Sequence, residues 1–140
     1  MKICLGVVDI PYSEAIEGAK ETTHEVALML EEKYEIYQIY LKQRAGFIDK
    51  TLAEGIKDAL FATMKGLPVP KEILAGATDK IEHDFRAWLD SESHGIPRTL
   101  AGREGIRHRF KVVEHGEPRP SFIDTGLYQQ SFRVWVEGNK

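Results

Sequence analysis

The sequence predicts an α+β fold: three amphipathic helices, then a long loop and a C-terminal antiparallel β-hairpin-like unit, with a short strand or extended arm at the N-terminus. Three observations predict it. Apolar residues recur at three-and-four spacing across residues 22–91, the period of a helix with one buried face. The pattern changes to strict alternation near residues 106–113 and again at Phe132, Val134 and Val136, the period of a half-buried strand. Between them, Gly and Pro punctuate the chain at residues 66–70 and 92–105. The expected organisation is a single domain over 1–140, with an arm at 1–12, a helical body at 22–91, a loop at 92–105 and a strand-turn-strand tail at 106–140.

Residues 3–8 are short, apolar and partly β-branched, and Pro11 follows, which predicts one strand or an extended arm. Thr22 and Glu25 form a Thr-x-x-Glu capping box, in which hydroxyl and carboxylate each satisfy an orphan backbone N–H, so a helix starts there. Val26, Leu30, Tyr34 and Tyr37, with Tyr40 and Leu41, carry it down to Arg44 and Ala45, where Gly46 supplies a stop. The tyrosine stripe reads as core or as a helix-partner face. A second helix is expected from Phe47 or Ile48 to Lys65, with Ile48, Leu52, Ile56, Leu60 and Met64 on one face and Gly55 weakening its middle. Residues 66–70, GLPVP, must break it, because each proline removes a donor and restricts its neighbour. A third helix over residues 71–91 buries Ile73, Leu74, Ala77, Ile81, Phe85, Trp88 and Leu89.

Residues 92–105, ESHGIPRTLAGREG, read as a long loop, and loops of that length in a compact domain are usually functional or ordered by a partner. The alternating 106–113 strand, IRHRFKVV, has a basic face, and the closing RVWVE is expected to pair with it as an antiparallel ladder. Between the two, Asp124 or Thr125 is suited to cap a short helix beginning at Gly126 and holding Leu127, Tyr128 and Ser131, and Gly126 lets the backbone turn sharply.

Composition excludes several classes. An apolar share of 42% with 29% charged residues is that of an ordinary globular chain. The single Cys4 rules out an internal disulfide and a thiolate metal site, and reads as a small buried hydrophobe. The run MKICLGVVDIPY is much shorter than the ~20 apolar residues of a membrane span, and meets Asp9 and Pro11 before any cleavage-like site, so a cytoplasmic protein is expected. Net charge is −3 but unevenly placed. Residues 14–35 hold seven acids against two lysines, and residues 98–119 hold six bases against three acids. Such asymmetry suits head-to-tail packing of identical subunits or an anionic partner, and equally two solvated faces.

No catalytic constellation emerges. Asp-Thr-Gly at 124–126 is a protease signature only when two copies place two carboxylates around one proton, and here it occurs once in a chain that is mostly helical over its first two thirds. The five histidines are scattered, and His83 beside Glu82 and Asp84 lacks the three-and-four spacing of a helical zinc site. No phosphate-binding glycine loop occurs, and Ser121 and Ser131 stand in no nucleophile motif. The reading is a non-enzyme with no metal and no cofactor.

The closing RPSFIDTGLYQQSFRVWV, preceded by GIPRTLAGREGIRHRFK, resembles the C-terminal region of virion morphogenesis proteins of long-tailed bacteriophages, the small neck or tail-completion proteins of the head-to-tail joint. Pro120, Thr125, Gly126, Leu127 and Ser131 approximate a pattern those families often carry, with Tyr128 where a basic residue is common. The N-terminal LGVVDIPY and the TTHEVALMLEEKY helix are similar to such proteins too. The resemblance implies a structural virion protein, assembled in the host cytoplasm, whose copies form a sixfold ring between the head-side connector and the tail tube or tail terminator. Arg98, Arg103, Arg107, Arg109 and Lys111 are then expected to face a neighbouring subunit or to line a passage for double-stranded DNA, with contacts that are sequence-independent and weakened by salt. The reading from another class is a small nucleic-acid-binding regulatory module using the basic C-terminal third.

Overall fold

A computed structural model describes residues 2–11, 20–68, 72–91 and 127–137. Their order is β1 (Lys2–Val7), α1 (Thr23–Tyr34), α2 (Ile36–Met64), α3 (Ala75–Asp90), α4 (Leu127–Ser131) and β2 (Phe132–Glu137). The fold is α+β: four helices and one two-stranded antiparallel sheet among the described residues.

Among the described residues, the closing strand β2 pairs with the N-terminal β1, in a register that sets Lys2 opposite Glu137, Leu5 opposite Val134 and Val7 opposite Phe132. On its other edge, side chains of α3 meet the backbone: Val134 N–H donates to the Glu82 carboxylate at 2.9 Å, and the Arg86 guanidinium donates to the Phe132 carbonyl at 3.1 Å. An Arg and a Glu one helical turn apart on α3 thus occupy the positions a third strand would need there. Residues 106–113, the strand expected beside it, lie outside the described residues.

Alternation in β2 is as the sequence predicts. Phe132 and Val134 are buried, Val136 is half-buried, and Arg133, Trp135 and Glu137 point away from the core. Ile3, Leu5 and Val7 share the inner face across the ladder and pack on the same core. An aromatic stack fills its centre. The rings of Phe85 and Phe132 lie 3.9 Å apart between centroids, Tyr40 meets Phe85 edge-on at 5.0 Å, and Trp88 closes the group at 5.2 Å from Tyr40. The tyrosine stripe is therefore core at Tyr40 and partly so at Tyr34 and Tyr37.

The capping box forms as predicted: Thr22 accepts from Glu25 N–H, and Glu25 accepts from Thr22 N–H. The helix does not run to Gly46, however. It breaks at Glu35, which adopts the left-handed conformation with φ 52°, and α2 begins at the next residue. The break is held by Glu31, whose carboxylate accepts from Tyr37 N–H at 2.8 Å and so satisfies one of the orphan donors of the new helix. Gly46 sits inside α2 with open space around it and stops nothing.

Helix α2 is 29 residues long, about 43 Å at 1.5 Å per residue. It ends within a residue of where the sequence places its end, and a glycine closes it. Gly66 takes φ 68°, its N–H donates to the Thr63 carbonyl, and Leu67 N–H donates to the Ala62 carbonyl, the paired bonds that close a helix on a glycine. The third helix is shorter than expected at its start, spanning Ala75–Asp90; residues 69–71 lie outside the described residues. α3 returns antiparallel along α2, with Tyr40 against Phe85 and Trp88 at one end and Gly55 against Leu74 and Ala77 at the other. A Cβ on Gly55 would stand 3.1 Å from Leu74 Cδ2 and 3.2 Å from Ala77 Cβ, so this glycine serves close approach of the two helices.

A single threonine ties the arm to the helical body. Thr23 is fully buried, accepts from Ile10 N–H and donates to the Val8 carbonyl, holding the chain after β1 against the first turn of α1. The short helix expected after Gly126 is present as α4.

Candidate assembly surface

The residues that the sequence singles out for partner or DNA contact, Arg98, Arg103, Arg107, Arg109 and Lys111, lie outside the described residues, as do Asp124, Thr125 and Gly126 of the expected turn and cap. The acidic run is partly described. Glu25 and Glu31 act within the chain, as the partner in the capping box and as the cap of α2, while Glu32 and Glu35 are exposed. The acidic stretch is thus in part a set of helix-end devices.

The described arginines are committed inside the molecule. Arg86 bridges α3 to β2 and α4, donating to the Gln129 and Phe132 carbonyls and pairing with Glu82. Arg44 makes a two-pronged contact with Asp84 across α2 and α3, and its guanidinium lies 4.8 Å from the Phe47 ring centroid. Arg133 donates to the Gln130 and Phe132 carbonyls. Asp84 also accepts from the Tyr40 hydroxyl at 3.0 Å. Burial, then the Asp84 charge and hydrogen bond, push the Tyr40 phenol well above its ordinary value, and the Asp84 hydrogen bond raises Arg44. Burial does the same to Tyr37, with the Glu31 charge adding to it and a bond to Tyr128 opposing it. Such a cluster is a neutral phenol tucked under an ion pair. It locks two helices together and presents no nucleophile.

What the molecule does present is apolar. The stripe Ile48, Leu52, Ile56, Leu60, Met64, expected on one buried face, leaves the core as α2 proceeds. Ile48 is buried, but Ile56, Leu60 and Met64 are 47%, 59% and 74% exposed. The cause is geometric: four-residue steps drift about 40° per step around a helix, and Gly55, which marks the side facing α3, lies about 100° from Ile56 and about 180° from Met64. Phe61, Leu67 and Ile73 are also half-exposed or more. Isolated exposed apolar residues are ordinary, whereas a contiguous set on one helix end marks a surface that another protein covers.

Beside this row lies a groove of about 320 Å³ between α2 and α3, lined by Thr51, Gly55, Ala59, Ala62, Ile73, Gly76 and Ala77, with Glu54, Asp58 and Lys80 at its sides. A second cleft, of about 390 Å³, opens between the start of α3 and β2 and is lined by Glu72, Ile73, Leu74, Ala75, Thr78 and residues 134–136. Among the described residues, no group of three or more His, Cys, Asp or Glu side chains is placed to hold a metal, and no helix is long and apolar enough to cross a membrane.

The exposed row was hidden in the sequence because apolar residues at four-residue spacing look the same whether the face is covered by the fold or by a partner. The length of α2 is the signal that reveals it. Comparison with family models, curated proteins and solved structures gives no match for this chain.

Proposed function

We propose that this chain is a structural virion protein of the head-to-tail joint of a long-tailed bacteriophage, a neck or tail-completion subunit. Its copies form a sixfold ring between the head-side connector and the tail tube or terminator. The reading rests on the resemblance carried chiefly by residues 95–111 and 119–136, and the observation in the fold that supports it is the exposed apolar row of α2. A protein whose work is assembly needs surfaces that stay uncovered until a partner arrives, and Ile56, Leu60 and Met64 form one. In this reading the protein is not an enzyme and carries no cofactor. Arg98, Arg103, Arg107, Arg109 and Lys111 then face either the next subunit or the DNA in the channel.

Electron microscopy of lysates from a phage lacking this gene tests it. Filled heads lying apart from finished tails are the expected result, and normally joined, infectious particles would overturn it. One sequence feature favours a second reading, a small nucleic-acid-binding module: the basic excess of residues 98–119. That reading requires duplex binding by the isolated protein that falls steeply as salt rises.

A further inference from the structure

Helix α2 carries two unlike surfaces that the fold leaves open. One is the protruding row Ile56, Leu60 and Met64. The other is the groove against α3, whose floor is set low by Gly55, Ala59 and Gly76. Nothing lies within 4 Å of a Cβ built on Gly76, so the groove has room for side chains from outside.

We propose that the row of one copy seats in the groove of the next, so that copies of this chain join head to tail through α2. Three features converge on a second copy as the occupant. Ridges of large residues at four-residue spacing pack into grooves between small ones, and this chain holds both halves of that arrangement. The charges match as well: Lys57 flanks the row on the same helix face, whereas Glu54 and Asp58 outnumber Lys80 at the sides of the groove. Finally, the two surfaces are different and lie on different sides of one helix, so a contact between them is heterologous and repeats from copy to copy, closing into a ring when the rotation allows. A row-on-row twofold pairing would instead bring the lysine-bearing flanks of two antiparallel helices together and leave Glu54 and Asp58 unmatched. The inference deepens the ring reading and rests on it.

Disulfide trapping of the full chain in a Cys4→Ser background tests the contact. One preparation carries Met64→Cys, the other Gly76→Cys, both at open surface positions. Mixed and oxidised, they are expected to give the crossed dimer, while each alone stays uncoupled. Adding Leu60→Asp to the first preparation lowers the yield by about tenfold or more, the factor that losing one buried apolar side chain implies. Absence of the crossed product at the highest soluble concentration would overturn the proposal, and so would efficient coupling of Met64→Cys with itself. Circular dichroism of each variant shows that the fold is kept. The trapping and the lysate microscopy fail separately: crossed dimers with normally joined particles keep the contact and remove the neck, and separated heads and tails without crossed dimers do the reverse.

Discussion

Tyr40 joins the aromatic core to the ion pair between α2 and α3. Its ring is fully buried between Phe85 and Trp88, and its hydroxyl donates to Asp84, which Arg44 holds from α2. The consequence is a dependence on alkaline pH. An unfolded tyrosine loses its proton at about pH 10, whereas the folded Tyr40, pushed up by burial and by Asp84, keeps it. Below pH about 10 the contribution is fully present. Above it the unfolded chain binds fewer protons than the folded one, so stability falls as pH rises, by about 1.4 kcal/mol per pH unit for each such group. Tyr37, raised for similar reasons, adds to the slope. Tyr40→Phe removes a hydrogen bond to a charged carboxylate and is expected to cost about 1.5–3 kcal/mol at neutral pH and to make the alkaline loss shallower. Urea unfolding of both proteins across the alkaline range checks it. Equal slopes would mean that Tyr40 ionises as readily inside the fold as outside it.

At the scale of elements, the junction of α1 and α2 separates what the residues announce from what they conceal. Thr22 and Glu25 announce a helix start because a capping box is local, readable four residues at a time. Gly66 announces a stop for the same reason. The break at Glu35 is not announced, since no Gly, Asn or Pro stands there and the left-handed turn is held by tertiary packing and by Glu31 reaching six residues ahead. Conversely Gly46 looks like a stop but is overruled by the buried Tyr40 and Ile48 on either side of it. Two substitutions have signs that depend on this. Glu35→Gly relieves a left-handed residue and is expected to stabilise by about 1 kcal/mol, although in a continuous helix the same change costs about that much. Gly46→Ala, in a helix interior with open space, is expected to stabilise by about 1 kcal/mol as well. Thermal unfolding of the two variants reads both signs, and a destabilised Glu35→Gly would restore the single long helix. The candidate surface was legible only in part by the same logic: the spacing of Ile56, Leu60 and Met64 marks a face, and only the position of α3 against Gly55 decides that the face turns away from the described core.

The whole molecule is closed by contacts between segments far apart in sequence. Strand β2 near the end of the chain is wedged between β1 at its beginning and α3 in its middle, with Phe132 stacked on Phe85 and the Val134 N–H and Phe132 carbonyl taken by Glu82 and Arg86. The alternation of Phe132, Val134 and Val136 revealed a strand, but a period of two says nothing of which neighbour it pairs with, and proximity in sequence favoured residues 106–113. Two cuts distinguish the roles of the partners. Phe132→Ala removes a fully buried ring from the centre of the stack and is expected to cost about 3–5 kcal/mol, a large share of the total stability of a domain this size. Deleting residues 2–7 removes the only strand paired with β2 among the described residues and uncovers the part of the core on which Ile3, Leu5 and Val7 pack, so it is expected to abolish cooperative unfolding. Denaturant unfolding followed by tryptophan fluorescence, from Trp88 and Trp135, and by far-ultraviolet circular dichroism checks both. If the truncated chain kept a sharp, coincident transition with an unchanged midpoint, the sheet would be an ornament on a helical core, and the α3 clamp through Glu82 and Arg86 would suffice to hold β2.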